Sequence, residues 1–452
     1  MASRSTQGTG GGAGAAFAAV TVLFFAWGFI TSMVDPLVAA VKGIFTLTDV
    51  QAQMAAAAFF AAYGLTSFLG ATLLAKLKSV PTILFALVTM IAGCLVMLLA
   101  ANVQVFGLVL LGLFILASGI TVLQVAANPL AAALGDPKGS HFRLTLSQTF
   151  NSVGTVIGPI LGSELFLKGL EVKHGAVVTD AVRAQALAGI DMAYFWFAGL
   201  ILALLVFFWF SRRVVSAAAP VSTANANFFA LIGDAFSSRW ALFGGLAIFL
   251  YVGAEVAIGT QMALFLNSDA VWGKSDALFA LPFVQYAVPQ DGVVGLSLEQ
   301  AGKATALYWL GAVVGRAVGS ALLARVNAAK LLATFTAVAA ALCLYVFGVG
   351  GVNAGYAALS IGLFNSIMFP VIFTLTLERS TASEAATSGL LCTAIVGGAA
   401  VPLLVGMVSE HHGYAFALIV PALCYVALCL FAIAAGKARI VRAEDEVATS
   451  FH

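Results

Sequence analysis

The chain is built from long uninterrupted apolar stretches, each about the 20 residues that a helix needs to cross the hydrocarbon of a bilayer. They fall approximately at 15–41, 51–75, 80–101, 105–134, 145–167 and 190–211, and again at 240–266, 302–325, 329–350, 354–377, 385–408 and 414–436. Hydrocarbon holds no water to satisfy backbone N–H and C=O groups, so each stretch is predicted to be a helix that closes its own hydrogen bonds. With 62% hydrophobic residues, only 9% charged ones and a mean hydropathy of +1.05, the 452 residues are far more apolar than a water-soluble core requires. The fold class that follows is an all-α polytopic membrane protein, with twelve transmembrane helices in two pseudo-symmetric six-helix bundles.

The expected organisation is a disordered N-terminus at 1–14, a first bundle at 15–213, a cytoplasmic linker at 214–237, a second bundle at 238–436 and a cytoplasmic tail at 437–452. Within the linker, the Phe228-Phe229-Ala-Leu-Ile run suggests a short surface helix. Two short matches relate the halves. Gly70-Ala-Thr-Leu-Leu-Ala-Lys76 recurs as Gly319-Ser-Ala-Leu-Leu-Ala-Arg325, an offset of 249 from 70 to 319. Val156-Ile-Gly-Pro-Ile-Leu-Gly162 resembles Ala399-Ala-Val-Pro-Leu-Leu-Val405, an offset of 243 from 156 to 399. These predict parallel repeats about an axis along the membrane normal, two bundles that can rock around a site at their interface.

Cytoplasmic loops collect Lys and Arg. With the N-terminus inside, the inner side carries Arg4, Lys76, Lys78, Lys138, Arg143, Arg212, Arg213, Arg239, Arg325, Lys330, Arg379, Lys437, Arg439 and Arg442. The outer side carries Lys42, Lys168, Lys173, Arg183, Lys274 and Lys303. Both termini are therefore expected in the cytoplasm, which leaves Arg316 inside a span. The first apolar run has no clear processing site and is expected to be a retained span. The five cysteines all lie in apolar segments without metal-ligand spacing, which points to inert core residues and no metal site. A net charge of +2 and no basic run longer than Arg212-Arg213 exclude nucleic acid as a partner.

Chemistry must reside in the polar residues that the spans keep despite their cost. An Asp at mid-bilayer costs about 2.5–3.5 kcal/mol on insertion scales. Asp35, in Phe24-Phe-Ala-Trp27-Gly-Phe-Ile-Thr-Ser-Met-Val-Asp35-Pro36, is thus either an ion or proton site or a wet helix end. Gln124 and Asn128 are four apart, and Gln148 and Asn151 three apart, so each pair shares one helix face. Such amides either bind a neutral hydroxylated ligand or bond helices to one another. Glu255, one turn after Tyr251, is a second carboxylate within a span, and is either a proton carrier or the structural partner of Arg316. Asn365 completes the polar set, and Trp27, Phe150, Tyr251 and Trp309 are aromatics able to stack on a sugar ring. None of the five histidines falls inside a predicted span, so a proton relay would rest on carboxylates. No nucleotide loop or paired nucleophile is visible, and an enzyme is not expected.

These same stretches resemble the fucose permease and glucose/galactose transporter family of the major facilitator superfamily. The resemblance is carried by Phe24–Pro36, by Leu123-Gln-Val-Ala-Ala-Asn-Pro129, and by His141-Phe-Arg-Leu-Thr-Leu-Ser-Gln-Thr-Phe-Asn-Ser-Val-Gly-Thr155. It continues through 248–259, 308–320, 361–378 and 388–404. It implies alternating access and sugar uptake coupled to a cation, usually a proton. A first-span Asp that is a protonation site in the fucose-type pattern matches Asp35. The Gln and Asn that contact sugar match Gln148 and Asn151. The fucose-type Glu before the Ala-Ala-Asn-Pro segment is Gln124 here, as in the glucose/galactose branch, which leaves the cation open.

Together these readings describe a monomeric secondary transporter of the bacterial cytoplasmic (inner) membrane. It would import a neutral hexose, of glucose, galactose or N-acetylglucosamine type, with Asp35 or Glu255 coupling the proton. Sodium-coupled or facilitative carriage, an exporter of amphiphiles and a non-transporting sensor are the alternatives. No cofactor is implied beyond the coupling ion.

Overall fold

The computed structural model describes residues 9–34, 37, 40–41, 44–45, 47, 49–162, 165, 180–219, 227–268, 271 and 298–441. Asp35 and most of the 267–301 loop lie outside the described residues. Among the described residues the regular structure is helical, without a β-strand. The first half comprises α1 (Thr9–Ser32), α2 (Asp49–Leu77), α3 (Ser79–Val103), α4 (Phe106–Ala133), α5 (Ser140–Gly162) and α6 (Asp180–Ala218). A short helix, α7 (Phe228–Ser237), follows, matching the apolar run in the linker. The second half comprises α8 (Arg239–Asn267), α9 (Leu298–Leu323), α10 (Ala328–Val349), α11 (Gly351–Asn365), α12 (Met368–Arg379), α13 (Glu384–Thr393), α14 (Gly397–His412), α15 (Tyr414–Ala417) and α16 (Ile419–Lys437).

Eleven membrane-length apolar segments are present among the described residues. The remaining predicted span is α5, whose 23 residues include Arg143, Thr145, Ser147, Gln148, Thr149, Asn151 and Ser152. Its polar face keeps it below the hydropathy of its neighbours. α5 also begins before the expected boundary at 145, because Asp136 accepts from the Lys138 N–H and Pro137–Gly139 forms a leading turn of 3-10 helix.

Two of the predicted spans, each a single apolar segment, Gly351–Arg379 and Glu384–His412, have an interrupted helix. The 354–377 stretch divides into α11 and α12, and proline explains it. Pro370 has no N–H for the carbonyl of Ser366, four residues earlier. The 385–408 stretch divides into α13 and α14 at a 3-10 turn, Ala394–Val396, that precedes Gly397-Gly398.

Contacts group the chain into two units, one of Met1–Leu242 with Ser380–Thr393, the other of Phe243–Arg379 with Ala394–His452. In the first unit α1 packs on α5 and α6, α3 on α4 and α6, and α2 on α4. Helix α13 belongs to this unit and packs on α2, α4 and α7. Its entry is held from α7. Asp234 Oδ2 accepts from the Ser383 N–H at 2.9 Å, and Ser238 Oγ lies 3.1 Å from Ser380 Oγ, which is 2.8 Å from Thr387 Oγ1. In the second unit α9 packs on α11, and α10 on α11, α12 and α16.

The repeated glycines occupy corresponding crossings. A Cβ on Gly70 of α2 would meet Val122 of α4, and one on Gly319 of α9 would meet Ile367 beside α12. The tightest first-unit crossing joins α1 to α5. A Cβ on Gly154 would lie 2.5 Å from the Phe25 carbonyl and 2.6 Å from the Phe29 nitrogen, and Gly28 abuts Asn151. Small residues let the two backbones approach, a main source of helix association where lipid tails are as apolar as side chains. Gly199, on α6, has nothing within 4 Å of such a Cβ. Gly154→Ala should therefore lose about 1–3 kcal/mol through overpacking, seen as a lower thermal midpoint in detergent, whereas Gly199→Ala should leave it unchanged or raise it.

Candidate functional site

The first-unit cluster is built on α4 and α5. Pro129 lies inside α4 and cannot donate to the Val125 carbonyl, four residues back. Ser388 of α13 supplies the missing donor, Oγ to Val125 O at 2.8 Å, in a buried position. One turn away, Gln124 Nε2 donates to the Tyr63 hydroxyl of α2 at 2.8 Å. Gln148 Nε2 donates to Asn128 Oδ1 at 3.4 Å, joining α5 to α4. Gln124, Asn128 and Gln148 are all buried, and the Asn128 Nδ2 finds no partner.

Asn151 is engaged differently. Its Nδ2 donates to the Phe24 carbonyl of α1 at 3.1 Å, at the Gly28 crossing, so it helps to join α1 and α5. Thr21 and Ser147 make a second bond across the same pair, with oxygens 3.0 Å apart. Trp27 is buried against Phe24, ring centroids 4.1 Å apart. Phe150 is 46% exposed.

The second-unit cluster centres on Glu255 of α8. Its Oε1 lies 3.7 Å from Arg316 Nη2 of α9, an ion pair with both side chains largely buried. Arg316 also donates from Nε to the Ser366 carbonyl at 2.7 Å, the carbonyl that Pro370 leaves without an N–H. One guanidinium thus serves a carboxylate and a proline-freed backbone group. Tyr308 donates to the Glu255 carbonyl oxygen at 3.2 Å and accepts from Asn365 Nδ2 at 2.6 Å. Asn365 and the hydroxyls of Tyr251 and Tyr425 are buried in the same cluster, Tyr251 beside Glu255 and Tyr425 beside Asn365. Trp309 packs its indole over Gly259 and edge-on to Tyr308, ring centroids 5.1 Å apart.

The structure therefore brings together Gln124, Asn128 and Gln148 in one unit, and Tyr251, Glu255, Arg316 and Asn365 in the other. Tyr63, Ser388, Tyr308 and Tyr425 join these clusters without having been singled out from the sequence. A tyrosine or serine in an apolar stretch reveals its partner only once the helices are packed.

These two clusters sit in a chain whose residues 16–391 match the sequence signature of the Major Facilitator Superfamily. The chain belongs to this superfamily. The glucose/galactose transporter of Brucella abortus biovar 1 (strain 9-941) is 35% identical over 424 residues, 94% of this chain and 95% of that protein. The L-fucose-proton symporter of Escherichia coli (strain K12) is 29% identical over 433 residues, 92% of each chain. A crystal structure of the E. coli fucose:proton symporter matches with a TM-score of 0.77 at 25% identity, over 93% of this chain and 98% of that one. This major facilitator chain is a multi-pass membrane transporter and not an enzyme, and α5 completes its twelve spans.

In this transporter, removing one member of the buried ion pair should cost more than removing both. Arg316→Met should lose about 3–5 kcal/mol by stranding the Glu255 carboxylate. The double variant Arg316→Met with Glu255→Gln should recover most of it, short of about 1–3 kcal/mol for the unsatisfied Ser366 carbonyl. A double-mutant cycle from denaturation midpoints measures this. A double variant no more stable than Arg316→Met alone would remove the pair as the source.

Proposed function

We propose that this chain is a proton-coupled importer of a neutral hexose, of the glucose/galactose or N-acetylglucosamine type, working by alternating access in the bacterial inner membrane. The bundles at 15–213 and 238–436 are its moving parts, with both termini in the cytoplasm. The observation that carries this reading is the buried Gln124–Asn128–Gln148 cluster, which retains an unpaired amide donor on Asn128. Amides offer both donors and acceptors, which suits the hydroxyls of a neutral sugar. Its relatives, a glucose/galactose transporter and an L-fucose-proton symporter, support the same substrate class.

Gln148 and Asn128 bond the sugar directly in this reading, while Gln124, held by Tyr63, fixes the α4 face. Proton coupling falls to Asp35, by its position in the first apolar stretch. Glu255 is the weaker candidate because its carboxylate is already engaged in the ion pair with Arg316. A charged Asp35 is costly to carry through an occluded, low-dielectric state, and protonation removes that cost, so proton and sugar cross together.

In proteoliposomes, sugar addition should draw protons inward, and a sodium gradient alone should drive no accumulation. Asp35→Asn should abolish accumulation against a gradient while sparing sugar exchange; full concentrative uptake by that variant would refute the role. Gln148→Ala should raise the apparent KM about fivefold, the worth of one net hydrogen bond of about 1 kcal/mol. An unchanged KM for every hexose tested would remove the amide cluster from the sugar site.

A further inference from the structure

Helix α6 runs for 39 residues, about 58 Å at 1.5 Å per residue, well beyond a hydrocarbon layer of about 30 Å. Charge brackets its crossing part. Between Asp191 and Arg212 no residue is charged, a stretch of about 30 Å. Helix α3 packs antiparallel to it and shares both boundaries. At one end Asn102 Nδ2 donates to Asp191 Oδ1 at 3.2 Å. At the other, Lys78 precedes α3 where Arg212 and Arg213 follow the apolar part of α6.

Near this basic end the two helices leave a groove of about 570 Å³. It is lined by Leu84, Phe85 and Val88 from α3 and by Val206, Trp209 and Phe210 from α6. Trp209 and Val206 lie about 4.5 and 9 Å along the helix from Arg212, and Leu84 to Val88 about 9–15 Å from Lys78. The groove thus spans the depth of one leaflet, about half of 30 Å. Its rim is set by Arg212, whose guanidinium stacks 4.0 Å over the Trp209 ring and donates from Nη1 to the Trp209 carbonyl at 2.7 Å. Arg213, Lys76 and Lys78 add three cations at the same end, and neither 71–90 nor 200–220 contains Asp or Glu. An apolar slot of acyl depth under a preorganised guanidinium fits a phosphate headgroup and its chain.

We propose that the α3–α6 groove is a specific site for an anionic phospholipid, with an acyl chain along Phe85, Val88 and Val206 and the phosphate on Arg212 and Arg213. Each basic residue near an anionic lipid surface contributes about fivefold, so Arg212→Gln with Arg213→Gln should weaken binding about 25-fold. Val88 is 52% exposed, and Val88→Trp should fill the slot and weaken binding without changing charge. The test is native mass spectrometry of the purified full chain in a neutral detergent, titrated with phosphatidylglycerol, phosphatidylcholine or soluble glycerol 3-phosphate. One tightly retained phosphatidylglycerol, lost in both variants and not replaced by phosphatidylcholine, is the expected result. Equal retention of the two lipids, unchanged retention in the double variant, or displacement by glycerol 3-phosphate would overturn the site, the first two by reducing it to annular lipid and the third to a phosphate site without a chain. The readout does not involve transport, so it stands apart from the proposed substrate and coupling.

Discussion

In hydrocarbon, a backbone carbonyl that loses its helical N–H must be answered by another part of the protein, because water cannot answer it. Prolines inside helices create that demand here, and at two of them, Pro129 and Pro370, the answers tie helices together. Pro129 frees Val125, and Ser388 of α13 bonds it; Pro370 frees Ser366, and Arg316 of α9 bonds it. The first draws a segment from late in the sequence into the first unit, and the second fixes the guanidinium that faces Glu255. The same chemistry that would weaken an isolated helix therefore places the polar groups of both clusters.

What remains for function is the part of each polar set that the protein does not satisfy for itself. Asn151 is bonded to the Phe24 carbonyl at a crossing where glycines bring two backbones together, and Gln124 is bonded to Tyr63, so both serve as helix glue. Asn128 differs. Its contact with Gln148 is long, at 3.4 Å, and its Nδ2 donor is left over. Leaving a buried donor unpaired costs about 1–3 kcal/mol, a cost that a hydroxylated ligand removes on binding. In the proposed sugar site, an amide face built this way would favour the bound state without an ion pair that would have to be broken.

Much of the architecture was legible in the sequence because hydrophobic length alone identifies a helix in a membrane. The spans, the short helix at Phe228 and the corresponding crossings of Gly70 and Gly319 all followed from local pattern. Breaks in the tenth and eleventh spans did not, since Pro and Gly pairs are compatible with either a kinked or an interrupted helix until neighbours choose. The amide pairs were visible by spacing, but spacing could not say which amide was already spoken for. Tyr63 and Ser388 were invisible for a related reason, each being an ordinary residue in an apolar run whose partner lies 61 and 263 residues away.

The two units thus offer different chemistry from related repeats. The first presents neutral amides, which suit a ligand that carries no charge. The second presents a carboxylate already held by a guanidinium that is itself anchored on Ser366. Protonating Glu255 would leave Arg316 facing a neutral acid in a buried setting, so a proton loaded there would have to break the ion pair. A carboxylate meant to load and release a proton in each cycle needs the opposite environment, one in which the charge is costly and no cation compensates it. In the proposed coupling that environment is asked of Asp35, whose stretch from Ala13 to Val41 holds no Lys, Arg or His.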